Sequence, residues 1–347
     1  MKKKTNIVSL GDIAREAGIS RVAVCYALRN TSGVSAATRE RVLSIAKKLG
    51  YVPDARISNW MATVRDAKKK DLLPLAWLNT VGDTKTWQKY KFLSPYLEGA
   101  QERALQLGYR IDEFWTQEPG MTMSRISRML SQRGIEGVIV SYPAKHLRLD
   151  WQRFAGVSIE GSLLAPRLHR AMMDYYYNLL LALKMLKRQG YRRIGVCIEH
   201  ESDRYSAHSL RAAAVYFHVT SPRTHQVPPL FYLNRTEEDW PAAKKQIAAW
   251  LARHRPEVVV GLSGRLLACV EELGYRVPGD IGVVHLATDD DVADWAGVCG
   301  NRRKIGAAAV ELVVSLIRNR QFGVPEMATD TTIRGSWHPG RTLRIPK

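Results

Sequence analysis

Cysteine is scarce in this 347-residue chain. The four thiols, Cys25, Cys197, Cys269 and Cys299, show no CxxC or CxxH spacing. That excludes a disulfide-stapled scaffold and a zinc-ribbon site. Long apolar runs are missing too: none approaches the roughly 18–20 residues a membrane span requires. The basic start Met1-Lys2-Lys3-Lys4 leads into no signal-peptide core, so the expected location is the cytoplasm, with no membrane partner. Low-complexity segments and short repeats are lacking. With 46% hydrophobic and 24% charged residues, the composition is that of folded globular domains. Enzyme motifs are equally thin. Gly261-Leu262-Ser263-Gly264 is not a nucleophile elbow, and Asp289-Asp290-Asp291 lacks the Gly and Glu of a calcium loop. Without a phosphate loop, HExxH or GxGxxG, the reading is a non-enzyme with no cofactor and no metal.

Acidic charge is the last deficit. Lys plus Arg number 52 against 33 Asp plus Glu, a formal net charge of +19. Residues 1–70 hold 15 basic and 5 acidic side chains, and the other 277 hold 37 and 28. More than half of the excess therefore sits in a fifth of the chain. Such a head attracts polyanions.

The head predicts three short helices. Leu10, Ile13, Ala14 and Ala17 recur at i, i+3, i+4 and i+7, and Ser9 with Asp12 forms a capping-box pattern. Gly18 stops that helix. Ser20 is placed to cap a second, about Arg21 to Leu28. Ser35 can cap a third, in which Val42, Ile45, Ala46 and Leu49 repeat the stripe before Gly50. Helix, glycine-containing turn and helix is the helix-turn-helix pattern. At 100° per residue, Arg21, Val22, Cys25, Tyr26 and Arg29 share one arc of the second helix, with Val24 and Ala27 opposite. Small apolar residues thus face a neighbour while arginine and tyrosine face outward. Arg21 can pair with a guanine edge, Val22 can pack on a thymine methyl, and Tyr26 can add a base or phosphate contact. Ser9, Ser20, Arg29 and Ser35 suit phosphates, which position without reading.

Pro53 breaks the chain, residues 54–61 can form a short helix, and Ala67-Lys68-Lys69-Lys70-Asp71 is a solvated linker pattern. From Pro74 strand-like runs alternate with helical ones. The strands are Leu75–Asn79, Ile111–Trp115, Gly137–Tyr142, Gly156–Ile159, Ile194–Ile198, Leu230–Leu233, Val258–Leu262 and Ile281–Leu286. Helical stretches lie at 95–107, 123–132, 175–189, 241–254 and 302–319. The alternation predicts parallel sheets flanked by helices, and about 275 residues of it predicts two lobes. Ligands sit beyond the carboxyl ends of such strands. Those ends carry Asn79, Thr80, Trp115, Tyr142, Glu160, Glu199, His200, Ser263, Thr288 and Asp289, a set able to bond sugar hydroxyls and stack on a sugar ring.

Val8-Ser9-Leu10-Gly11-Asp12-Ile13-Ala14-Arg15-Glu16-Ala17-Gly18-Ile19-Ser20, then Ala27-Leu28-Arg29-Asn30, Val34-Ser35 and Leu49-Gly50-Tyr51-Val52-Pro53, resemble the head of the lactose-repressor (LacI/GalR) family. The resemblance returns in Leu273-Gly274-Tyr275-Arg276-Val277-Pro278-Gly279-Asp280-Ile281-Gly282 and in Ile305-Gly306. It implies an all-α helix-turn-helix head (1–53), a hinge helix and linker (54–73), and a two-lobed, periplasmic-binding-protein-like α/β body (74–342). Lobe 1 would hold about 74–174 and 300–322, lobe 2 about 175–299 and 323–342. It also implies a homodimer on a near-palindromic double-stranded DNA operator and a small-molecule effector, often a sugar. On this resemblance the hinge wedges a side chain into the minor groove. The counted position is Trp60, with Met61 beside it and Ile57 one turn earlier.

The same resemblance implies a cleft aspartate at Asp174, which joins the strand-end residues Asn79, Trp115 and Asp289 as expected effector contacts. Its cleft arginine falls near a helix at 205–217, where Arg204 and Arg211 both qualify and Arg204 is preferred. Several positions depart from the family. Ala23 and Cys25 replace hydroxyl residues, Ala287 replaces an aspartate, and Cys299-Gly300-Asn301 stands where glutamine is usual. The expected function is a sequence-specific repressor under a sugar-type effector. The rival is a sugar-binding or sugar-processing protein with a non-specific DNA tether.

Overall fold

The computed structural model describes residues 8–28, 34–51, 72–85, 91–144, 146–234, 236–289 and 292–344. Arg29, Ile57, Trp60 and Met61 lie outside the described residues. The chain divides into two compact units, Met1–Leu72 and Leu73–Lys347. Among the described residues no helix is long and apolar enough to cross a membrane.

In the first unit, helices α1 (Leu10–Ala17), α2 (Arg21–Leu28) and α3 (Ala36–Leu49) each begin at a serine cap, and α1 and α3 end at glycines. Ser9 Oγ accepts from the Asp12 amide at 3.3 Å and the Asp12 carboxylate accepts from the Ser9 amide at 2.9 Å, closing a capping box. Those bonds to Ser9, aided by Arg15, hold the Asp12 carboxyl below its usual range. Ser20 Oγ accepts from Ala23 N at 3.1 Å, and Ser35 Oγ from Thr38 N at 3.2 Å. Gly18 and Gly50 adopt φ of 63° and 68°, the left-handed geometry that closes α1 and α3 and that favours glycine. Ile13, Ala14, Ala17, Val24, Ala27, Val42 and Ala46 form the buried core of this unit. Arg41 Nη2 donates to the Ala17 carbonyl at 2.9 Å, tying α3 to the end of α1.

The second unit contains two six-stranded sheets. The first lobe holds β1 (Leu73–Asn79), β2 (Tyr109–Trp115), β3 (Gly137–Val140), β4 (Ala155–Ile159), β5 (His169–Met173) and β11 (Asp330–Ile333), in the order β11-β5-β4-β3-β1-β2 and parallel throughout. The second holds β6 (Ile194–Glu199), β7 (Leu230–Tyr232), β8 (Val258–Gly261), β9 (Gly282–His285), β10 (Ala296–Cys299) and β12 (Ser336–His338). Its order is β12-β10-β9-β8-β6-β7, parallel except for β12. Central strands such as Val138-Ile139-Val140 and Val258-Val259-Val260 are buried on both faces, as the helix-covered parallel sheet requires.

The helices of this unit include α4 (Ser94–Gln106), α5 (Met123–Gln132), α6 (Tyr175–Arg188), α7 (His200–Tyr205), α8 (Ser209–Thr220), α9 (Trp240–His254), α10 (Leu266–Glu272) and α11 (Arg302–Arg318). The chain passes between lobes three times, at Met173–Tyr175, Cys299–Arg302 and Ile333–Ser336. The third passage lies later than expected. The sequence places residues 323–333 in lobe 2, yet Asp330–Ile333 pairs with Arg170–Met173 in the first sheet, because the short segment completes the ladder of β5. The two-lobed α/β body behind a helical head agrees with the fold read from sequence.

Candidate DNA-reading face and effector cleft

In the head, burial of Val24 and Ala27 fixes the rotation of α2, and this turns Arg21, Val22 and Tyr26 outward. Val22 is 59% exposed and Tyr26 43%, so both side chains are accessible on this face. Arg21 lies against α1 at Gly11, where an added Cβ would come within 2.8 Å of Arg21 Nη2. Cys25, a free thiol, is half-buried on the flank of the same face. The hydroxyls of Ser9, Ser20 and Ser35 are already engaged as caps. What they present is the amide-rich start of each helix, which suits an anion.

In the body, the first lobe and its passage into the second converge on a buried carboxylate. Glu160, at the end of β4, is 1% exposed and has φ of 57°, rare for a residue with a Cβ. Its carboxylate accepts from Tyr96 Oη at 2.9 Å, Tyr175 Oη at 2.8 Å and Met173 N at 3.4 Å. Burial raises the Glu160 carboxyl above its usual range, although the bonds from Tyr175 and Tyr96 oppose this. Burial also pushes both phenols well up, so they remain protonated donors. Tyr142, at the end of β3, packs edge-on against Tyr205 of the other lobe at 5.6 Å. Gly161 meets the Tyr205 carbonyl so closely that a Cβ there would lie 1.8 Å from the oxygen. Arg302, at the second interlobe passage, is 7% exposed; it is 3.6 Å from Asp289 and 5.8 Å from the centre of the Phe92 ring.

The residues expected in the cleft fall into different surroundings. Asp289 accepts from Gly300 N at 3.0 Å and Arg302 N at 3.3 Å, so it organises the passage into α11. Asn79 is held within its own sheet, accepting from Trp77 Nε1 and donating to Glu113, both at 3.0 Å. Trp115 ends β2 with a buried indole Nε1 that has no acceptor among the described residues. Asp174 caps α6 at the first passage, accepting from Tyr177 N at 3.0 Å, with Arg334 at 3.5 Å.

Arg204 lies in the short α7, bonded to Glu201 at 2.6 Å. Arg211 lies in α8, the helix where the cleft arginine was sought. It donates to buried Asp203 at 2.8 Å and covers the Phe231 ring at 3.8 Å. Burial works against the Asp203 charge, but bonds from His208 and Arg211 outweigh it and hold the carboxyl below its usual range.

Sequence reasoning missed Tyr96, Tyr175, Phe92 and Arg302 as parts of this site. Tyr175 stands in the run Tyr175-Tyr176-Tyr177, which carries no local sign of which phenol turns inward. The burial of Arg302 has no signature in a stretch that also carries Arg303 and Lys304. Glu160 was visible as a strand end but not as the centre of a cluster.

A helix-turn-helix head followed by two lobes around a cleft of hydroxyl, carboxylate and aromatic groups defines the ligand-responsive transcription regulators. Residues 9–54 match the model for bacterial regulatory proteins of the lacI family, and residues 183–337 match that for a periplasmic binding protein-like domain. The HTH-type transcriptional repressor PurR of Photobacterium profundum is 21% identical over 350 residues, covering 95% of this chain and 98% of its own. A CelR–cellobiose complex superposes with a TM-score of 0.57 at 18% identity, covering 96% and 99% of the two chains. The lac repressor dimer bound to operator gives 0.54 at 17% identity, covering 98% and 100%. The chain is a LacI-family helix-turn-helix transcription regulator with a periplasmic-binding-protein-like effector domain, and members of this family act by binding, not catalysis.

Proposed function

We propose that this repressor binds a near-palindromic operator as a homodimer, reads each half-site with Arg21, Val22 and Tyr26, and is controlled by a sugar-type effector in the cleft. The outward face of α2 carries the first part of the reading: it exposes one guanidinium, one aliphatic and one phenol on a helix whose start is capped by Ser20. Ser9, Ser20, Arg29 and Ser35 then supply phosphate contacts, and Ile57, Trp60 or Met61 the minor-groove wedge. The head, the hinge and linker, and the two lobes divide the work at about residues 53 and 73. The dimer is supported by the geometry of half-site reading and by the operator-bound lac repressor dimer to which the chain is similar.

The effector class rests on the cleft chemistry. Carboxylates, phenols and the Trp115 indole suit polyhydroxylated ligands, and the similar CelR structure carries cellobiose. Asn79, Trp115, Asp174, Arg204 and Asp289 border this cleft on the proposal, with Glu160 and Arg302 at its centre. Binding shifts the population between lobe arrangements only if the ligand prefers one of them. Arg21→Ala tests the reading face. Loss of a bidentate arginine–guanine pair costs about 1–3 kcal/mol of discrimination. The variant is expected to bind operator roughly 5–150-fold more weakly while leaving random-DNA binding nearly unchanged. Equal weakening on both DNAs would remove Arg21 from the reading set.

A further inference from the structure

We propose that the outer face of α6 and α8 in the second lobe is a docking groove for an acidic amphipathic helix of a partner protein. An ordinary surface helix turns one apolar stripe inward and a polar one outward. Helix α8 is apolar on both sides. Leu210, Ala213 and Ala214 are buried, while Ala212, Val215, Tyr216 and Val219 form a second stripe at i, i+3, i+4 and i+7 that faces out. Val215 is 44% exposed, Tyr216 53% and Val219 64%. Beside this stripe, α6 and α8 flank a shallow, open hollow of about 440 Å³ lined by Leu180, Leu183 and Phe217.

The rim of the hollow has one sign of charge. Lys184, Lys187 and Arg188 of α6 line it, and Lys187 Nζ stands 4.6 Å from the centre of the Phe217 ring. Neither helix contains a carboxylate. Residues 175–198 and 204–236 together contain no Asp or Glu but nine Lys and Arg. An apolar floor with a cationic rim matches a helix carrying apolar anchors at i, i+3 and i+4 and flanked by Asp or Glu. Stripe residues 212–219 span about 10 Å, so two to three turns of partner helix cover them. The same surface suits other macromolecules less well. Duplex DNA offers charge to the lysines but nothing to bury the Val215–Val219 stripe. A second copy docking through the same face about a two-fold axis sets Lys184, Lys187 and Arg188 against their equivalents.

The test uses the full chain in its native cells, with a photo-crosslinking residue at position 219 and mass-spectrometric mapping of the joined segment. A second crosslinker at position 105, exposed in the first lobe, is the control. The expected product at 219 is a heterologous segment with helical apolar periodicity and net negative charge. Its yield should fall tenfold or more in a Lys184→Glu, Lys187→Glu double variant whose circular dichroism is unchanged. The mapped segment, made as a peptide, should bind the purified repressor, and its scrambled version should not. Crosslinks to a second copy of this chain or to DNA, no polypeptide product, or a yield indifferent to charge reversal would each overturn the proposal.

Discussion

Helices α4 and α11 approach one another backbone to backbone, and a single methyl group should disturb them. A Cβ on Gly306 would lie 1.9 Å from the Tyr96 carbonyl oxygen, and one on Gly99 would lie 2.0 Å from that of Arg303. Ordinary Cβ contact begins at 3.4 Å, so Gly306→Ala must part the helices by about 1.5 Å, the difference between 3.4 and 1.9 Å. Two effects oppose each other. Alanine favours a helix over glycine by about 1 kcal/mol. Overpacking a core costs about 1–3 kcal/mol, and a rigid backbone obstacle puts this site at the upper end. The net expected loss is about 2 kcal/mol, a fall in melting temperature of roughly 4–8 °C.

Gly264→Ala is the control. Nothing lies within 4 Å of its Cβ position and its φ is not left-handed, so the variant should be neutral or slightly stabilised. Thermal unfolding of the three proteins side by side reads both effects. A Gly306→Ala variant that melts at or above wild type would refute the argument that close backbone packing sets this interface. Because α11 follows directly on the Cys299–Arg302 passage, its displacement should also alter the lobe arrangement in solution scattering.

Two further outcomes follow from the cleft. Burial raises the Glu160 carboxyl, so its stabilising contribution is complete below the usual carboxylate range and is lost as pH rises through the raised value. The stability of wild type relative to Glu160→Gln should therefore decline with increasing pH in denaturant titrations; a flat difference would show that the carboxyl titrates normally. Gly161→Ala places a methyl 1.8 Å from the Tyr205 carbonyl oxygen, across the lobes. Small-angle scattering should report a more open body, and a profile identical to wild type would mean that the lobes adjust without opening.

The head was the most legible part of the chain, because capping residues, stop glycines and a helical stripe all point to the same boundaries. Ser9, Gly18, Ser20, Ser35 and Gly50 fix three helices without help from distant residues. The long strands and helices of the body were legible for the same reason, with periodicity and burial in agreement. Four strands were missed as strands: β5, β10, β11 and β12. His169–Met173 and Ala296–Cys299 have no alternation, and Asp330–Ile333 and Ser336–His338 are short, polar edge segments. Such strands exist because a neighbour supplies the ladder, which no local pattern records.

The cleft was partly legible. Strand ends pointed to Asn79, Trp115, Tyr142, Glu160 and Asp289. The bonds that make Asn79 and Asp289 structural, and those that make Glu160 a hub, come from residues up to 34 positions away along the chain in the case of Asn79 and 64 in that of Glu160. Sequence does not reveal that Arg211 bonds Asp203 while Arg204 bonds Glu201, because the burial of Asp203 is set by the fold.

Selection of bound sites from random duplex DNA by the purified full chain tests sequence-specific operator binding most directly. Enrichment of a near-palindrome is expected, with a preference of roughly a thousandfold or more over random DNA. Selection repeated with sugar pools should find that preference altered by at least one of them. Binding that responds to salt but enriches no sequence, with or without those pools, would contradict the account and leave the basic head as a non-specific tether.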